Sequence, residues 1–255
     1  MNSPQDSNLN ELLAALPTDV LLRWGPQLEW LDMRLGQVLY ESGGTPPQVF
    51  FPTTAIVSLL FVSENGSTSE IAVVGREGMV GISIFMGGGS TPSRAVVQCA
   101  GQGFRLDAGL IRDEFDLGGP AMHLMLRYTQ ALITQMAQTA VCNRHHSLDQ
   151  QLCRWLLLSL DRLTGSELVM TQQLISANLG VRREGVAEAA RRLKEAGVIR
   201  CAGNASRCLI VRHCRPAPAS AAPLSNASTT ACCRDAKPVR RRHPCAASLQ
   251  PASWR

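Results

Sequence analysis

Apolar residues along this chain change their period twice. Between residues 9 and 34, Leu12, Leu13, Leu16, Val20 and Leu21 recur at helical spacing around Pro17, which predicts helix. From Gly36 to about Leu106 short runs of β-forming residues take over. They are VLY at 38–40, VFF at 49–51, IVSLLFV at 56–62, EIAVV at 70–74 and RAVVQC at 94–99. The stretches SGG, NGS, GREG and GGGS separate these runs as turns. Short strands at near-regular intervals predict a compact β-roll or jelly roll of about seven or eight strands.

Helical spacing returns near Pro120. Met122, Leu126, Thr129, Ile133, Met136, Ala140 and Asn143 alternate by four and three, which is a heptad seam. Two outcomes are open for that seam: packing on its own domain, or pairing with the same helix of a second chain. Leu148, Leu152, Trp155, Leu156 and Leu160 form another amphipathic helix, expected to support the element that follows.

That element is MTQQLISANLGVRREGVAEAARRLKEAGV, residues 170–198. Thr171 can cap a short helix whose apolar side is Leu174, Ile175 and Ala177. Gly180 suits the left-handed conformation that ends it. A second helix starts near Arg182, with Val186, Ala189, Ala190 and Leu193 spaced for one buried face. Helix, glycine turn and longer helix make a helix-turn-helix pattern, against the alternative of an amphipathic hairpin with solvated arginines.

Such a helix presents its first turn to base edges in the major groove. Arg182 and Arg183 suit guanine or phosphate, and Glu184 can accept from a cytosine amine. Gln172 and Thr171 open the first helix, where Gln172 can donate to phosphate. Charge is partitioned to match. Residues 1–170 hold ten Lys/Arg against sixteen Asp/Glu, residues 171–200 six against three, and residues 201–255 nine against one. An acidic front with a basic reading element fits a DNA binder that does not coat DNA with its whole surface.

The order β-roll, long helix, helix-turn-helix resembles the Crp/Fnr family of bacterial transcription regulators over about residues 10–200. The matching stretches are LGVRREGVAEAARRL, FPTTAIVSLL and GREGMVGISIFMGGGSTPSRAVV. The resemblance implies an α+β chain: an N-terminal β-roll (jelly-roll) sensor domain over 1–119, a dimerisation helix over 120–146 and a winged helix-turn-helix over 147–213. It implies double-stranded DNA, a second copy of the chain and RNA polymerase as partners. It also implies a cyclic-nucleotide-type effector pocket at Gly81, Ile82, Ser83, Arg94 and Ala95, with Arg94 facing a phosphate. For Arg94 a surface ion pair is the equal alternative.

Two positions depart from the family pattern. Members that bind cyclic AMP carry a glutamate after the cassette glycine, to accept from the ribose hydroxyl, and this chain has Ile82. An unpartnered buried hydroxyl costs about 1–3 kcal/mol, so no cofactor is expected and cyclic AMP is disfavoured. Glu188 stands one turn into the reading helix, where several members have arginine, so a different base sequence is expected there.

Other chemistry finds little footing. Before residue 200 the cysteines are Cys99, Cys142 and Cys153, too few and too late for the thiolate cluster of the oxygen-sensing branch. Cys142 with His145 and His146 lacks metal-site spacing, so no metal is expected. No nucleophile, base and orienter share a motif, so an enzyme is not expected. The N-terminus shows no signal peptide and no apolar run suits a bilayer, which predicts a cytoplasmic protein without a membrane. The rival from another class is a ligand-binding or partner-docking module whose DNA-binding half is impaired by an altered C-terminus.

That C-terminus is anomalous. Cys201, Cys208, Cys214, Cys232, Cys233 and Cys245 lie among Arg, Pro, Ala and Ser, and 214–255 is expected to be a disordered basic tail. One choice of codons for GNASRCLIVRH, read from the third base, gives QRIEVPDRA, an alternating strand and a turn. PLSNASTTACC can likewise yield VVKREYDRLL. We hypothesise a one-base shift near codon 201; a gene unable to yield both strings in one alternative frame would refute it. Val198-Ile199 and Cys208 to Val211 remain able to pair as a poor wing.

Overall fold

The computed structural model describes residues 9–64, 66–87, 90–163, 168–196, 199–201 and 209–210. They fall into two compact units, one ending at Thr139 and the other beginning at Ala140.

The first unit opens with helices α1 (Glu11–Ala14) and α2 (Thr18–Trp24), followed by a 3-10 turn at Gly25–Gln27. Asn10 is fully buried and anchors this start. Its Oδ1 accepts from the backbone of Leu12 and Leu13 at 3.1 and 3.0 Å, and its Nδ2 donates to the carbonyls of Pro52 and Gly78 at 2.8 and 2.9 Å. One side chain thereby caps a helix and ties it to the end of a strand and to a turn of the roll.

The helix expected up to residue 34 ends early. Glu29–Met33 is instead strand β1, paired antiparallel with β7 (Gly101–Asp107). Gly25 and Pro26 interrupt the helix, and Trp30 then packs edge-on against Phe104 across the ladder at 4.8 Å. The five strands expected from the alternating runs all form: β2 (Val38–Tyr40), β3 (Gln48–Pro52), β4 (Ile56–Val62), β5 (Thr68–Val74) and β6 (Ser93–Cys99). They make two antiparallel sheets, in the orders β1-β7-β3 and β2-β6-β4-β5.

Met33, Phe50, Val57, Leu59, Ala72, Val74, Ala95 and Val97 form one apolar cluster of the roll. Val49, Phe51, Phe104 and Leu106 belong to a second, which takes in Leu12, Leu13, Val20 and Trp24 of the first helices. Helix α3 (Ala108–Leu117), unforeseen in the sequence, joins that second cluster through Ala108 and Ile111, with Asp107 as its N-cap.

Helix α4 (Gly119–His145) follows, and up to Thr139 it counts with the roll. Its buried face is Ala121, Leu124, Met125, Tyr128, Leu132 and Gln135. The Tyr128 hydroxyl donates to the Met79 carbonyl at 2.8 Å, and a Cβ at Gly78 would collide with the Tyr128 ring, so only glycine fits there. Gln135 Nε2 donates to the Val73 carbonyl at 3.2 Å, and its Oε1 accepts from the Val73 amide at 2.6 Å. Because β5 is an edge strand, that side-chain amide takes the place of a missing neighbour.

A polar group is buried in the second sheet. Ser58 Oγ lies 2.6 Å from Glu70 Oε2 and 2.9 Å from Gln98 Oε1. Burial, and then the charge of Glu70, push the Cys99 thiol up to about 12.

In the second unit a capping box of Ser147 and Gln150 starts α5 (Leu148–Leu160), which buries Leu152, Trp155, Leu156 and Leu160 as its spacing requires. Helices α6 (Gln172–Leu179) and α7 (Arg183–Glu195) follow a short strand β8 (Val169–Met170). The strands β9 (Arg200–Cys201) and β10 (Leu209–Ile210) close the unit, with Leu209 opposite both Cys201 and Met170. A short wing forms with shifted strands: Arg200–Cys201, rather than the expected Val198-Ile199, pairs with Leu209–Ile210. Its GNAS turn and the expected tail at 214–255 lie outside the described residues.

Candidate nucleic-acid interface

Thr171 caps α6, its hydroxyl accepting from the Leu174 amide at 3.1 Å, and Gly180 ends the helix in the left-handed conformation at φ 66°. The buried side of α6 is Gln172, Ile175 and Asn178 rather than Leu174, Ile175 and Ala177. Gln172, expected to reach phosphate, is thus turned inward, and Gln173 is the exposed glutamine of that turn. The sequence misled here because two adjacent glutamines give no apolar signal to fix the helix's rotation.

Helix α7 follows its pattern closely. Val186, Ala189, Ala190 and Leu193 are all buried, and the helix packs on α5 and α6. Gly185 lies against Leu148 of α5, whose Cδ2 would be 3.1 Å from an added Cβ. Arg182 is the N-cap in extended conformation, and no side chain caps the first turn. The free amides there and the positive end of the helix dipole favour an anion. Arg182, Arg183 and Glu184 are exposed at this tip, with no ion-pair partner among the described residues.

Farther along α7, Glu188, Arg191, Arg192 and Glu195 are all engaged. Arg191 donates to Glu188 through Nε at 2.9 Å and Nη2 at 2.7 Å, and to Glu195 through Nη1 at 2.6 Å. Arg192 donates to Asp149 of α5 through Nε at 2.8 Å and Nη2 at 2.7 Å, and to Glu188 at 3.0 Å. Hydrogen bonding from Arg191, with its charge and that of Arg192, holds the Glu188 carboxyl down at about 2. Sequence reasoning missed the Asp149–Arg192 link, which joins residues far apart in the chain. The spacing of Glu188 to Arg191 and Arg192 was a visible clue.

The expected effector residues all belong to the first unit. Gly81 adopts φ 115° and opens a 3-10 turn at Ile82–Ile84. Ile82 packs against the roll cluster that contains the fully buried Ala95. Ser83 Oγ is buried without a hydrogen-bond partner among the described residues. Along β6 burial alternates, so Arg94 points away from the face that Ala95 lines. Its Nε lies 3.1 Å from Glu41 Oε2, the ion-pair alternative. Beside it, burial pushes the Tyr40 hydroxyl up to about 12 despite hydrogen bonds with Ser93 and Thr91.

The heptad seam of α4 is split. Thr129 is buried and donates to the Met125 carbonyl within its own helix, Met136 packs half-buried against the roll, and Met122 is half-buried. Thr129 and Met136 therefore serve the fold of their own chain. Leu126 and Ile133 stay exposed at 40% and 46%, and Ala140 and Asn143 are exposed as well. Cys142 is buried, and His146 is lowered by burial, then by Arg154 and His145. No group of three metal-capable side chains occurs among the described residues.

Residues 150–214 match the family model of the Crp-like helix-turn-helix domain. No curated protein sequence matches the chain. Solved structures do. A protein of Eubacterium rectale assigned to the Crp/Fnr transcriptional regulators is 15% identical, with a TM-score of 0.63 over 80% of this chain and 94% of that one. FixK2 of Bradyrhizobium japonicum is 15% identical, with a TM-score of 0.61 over 72% and 92%. The c-di-GMP-responsive regulator CLP of Xanthomonas campestris is 11% identical, with a TM-score of 0.59 over 77% and 99%.

Proposed function

We infer that this chain, a Crp/Fnr-type regulator in its fold and in its Crp-like helix-turn-helix domain, controls transcription as a dimer that reads a palindromic site. The observation that carries the reading is the tip of α7. Arg182, Arg183 and Glu184 stand exposed and unpaired among the described residues, while Val186, Ala189, Ala190 and Leu193 hold the helix from behind. Two such tips on a two-fold axis meet successive turns of DNA. The exposed Leu126 and Ile133 of α4 support pairing along that helix.

The protein acts by binding rather than catalysis, in the cytoplasm, with RNA polymerase as the downstream partner that the family resemblance implies. No helix among the described residues is long and apolar enough to cross a membrane. An impaired DNA-binding half is not favoured, since β10 pairs with both β8 and β9 and the domain match extends to residue 214. For the roll, Ile82 in the apolar cluster argues against cyclic AMP as effector.

Footprinting of the purified protein on its own upstream DNA, with and without cyclic nucleotides, tests this reading. Arg183→Ala should cost about 1–3 kcal/mol at one base position of each half-site. Equal losses on unrelated sequences would mean phosphate contact only, and no protected palindrome would refute the function.

A further inference from the structure

We propose that Glu188 is a positioning residue rather than a base reader: it withholds Arg191 from DNA and helps fix Arg192, leaving base recognition to the first turn of α7. The proposal rests on the DNA-binding reading above and deepens it.

The geometry is that of a filled carboxylate. Glu188 Oε2 accepts from Arg191 Nε at 2.9 Å, and Oε1 accepts from Arg191 Nη2 at 2.7 Å and Arg192 Nη1 at 3.0 Å. A cytosine amine would have to displace a guanidinium that grips both oxygens, exchanging a charge-assisted pair for a neutral donor. Glu195 holds the third nitrogen of Arg191 at 2.6 Å. Arg191 is thus closed between carboxylates three residues before it and four after it, on the exposed side of α7.

Arg192 differs in its partner. Asp149, in the first turn of α5, takes it with both oxygens, so the reading helix is braced on its support beside Gly185 and Leu148. Each exposed pair adds little to stability, so their effect lies in where the charges are held. The cations of α7 that remain unpaired among the described residues are Arg182 and Arg183 at the tip and Lys194 at the far end. Positive charge is concentrated where base edges are met and cancelled along the flank that runs beside the backbone.

Glu188→Gln keeps the shape and removes the counter-charge. Wild type and variant are compared on duplexes selected by the wild type from a randomised pool, and on an unrelated duplex across salt concentrations. The expected result is an unchanged base preference at every position. In the double variant Glu188→Gln/Glu195→Gln, which opens both carboxylate clamps on Arg191, the salt dependence should steepen by about 0.9 in log–log slope, as one added phosphate contact requires. Adding Arg191→Ala to that double variant should abolish the gain, which a loss of helix stability would not do.

Loss of discrimination at one base pair in Glu188→Gln would make Glu188 a base reader and overturn the proposal. An unchanged salt slope in the double variant would overturn it too. Failure of the wild type itself to prefer any duplex would instead sink the DNA-binding reading, and this inference with it.

Discussion

Burial of Cys99 bears on the stability of the roll at alkaline pH. Its thiol is held neutral by burial and by Glu70, with its pKa raised to about 12. In the unfolded chain a thiol ionises near pH ~8.5. A raised folded pKa means that the stabilising effect is complete below about pH 8.5 and is lost as pH climbs toward about 12. Tyr40, also raised to about 12, adds to the same alkaline loss from its ordinary range near ~10 upward. Urea midpoints measured from pH 8 to 12 should therefore fall. Cys99→Ala should flatten the part of the fall that begins near pH 8.5, whatever it does to the midpoint at pH 8. An identical slope in the variant would show that Cys99 does not carry the effect.

Helix α4 buries one side of its circumference and leaves another exposed. Ala121, Leu124, Met125, Tyr128, Leu132 and Gln135 belong to the roll, while Leu126 and Ile133 stay in solvent. If that stripe is where two copies meet, Ile133→Glu should leave the fold intact and yield a monomer in sedimentation. Affinity for a palindromic site should drop by about a hundredfold, as avidity is lost. A dimer that survives the change would place the interface elsewhere. The sequence showed the helix but not the division of its faces. A four-three spacing fits a roll-facing stripe as well as a seam, and Thr129 and Met136 went to the roll. Strands β2 to β6 were legible because their apolar runs are bounded by turn residues. Strand β1 was hidden behind helical spacing and β7 by its glycines, where a Cβ at Gly101 would run into the backbone at Thr54 and Ala55. In the reading element all four buried positions of α7 were legible, but the rotation of α6 was not.

On the scale of the molecule, charge and fold divide the work in the same direction. Residues 1–170 carry an acidic balance, while Arg182 and Arg183 stand exposed at the tip of α7. Long-range links such as Asn10 to Pro52 and Asp149 to Arg192 join residues separated by 42 and 43 positions, and no local pattern announces them. The Gln135 contact reaches across 62 positions and bears on more than folding. An open strand border invites a foreign strand, and with it aggregation. By plugging the Val73 amide and carbonyl with its own side chain, the protein denies that foothold to other chains near the end of β5. One helix of the chain thus shields a strand border from unregulated association.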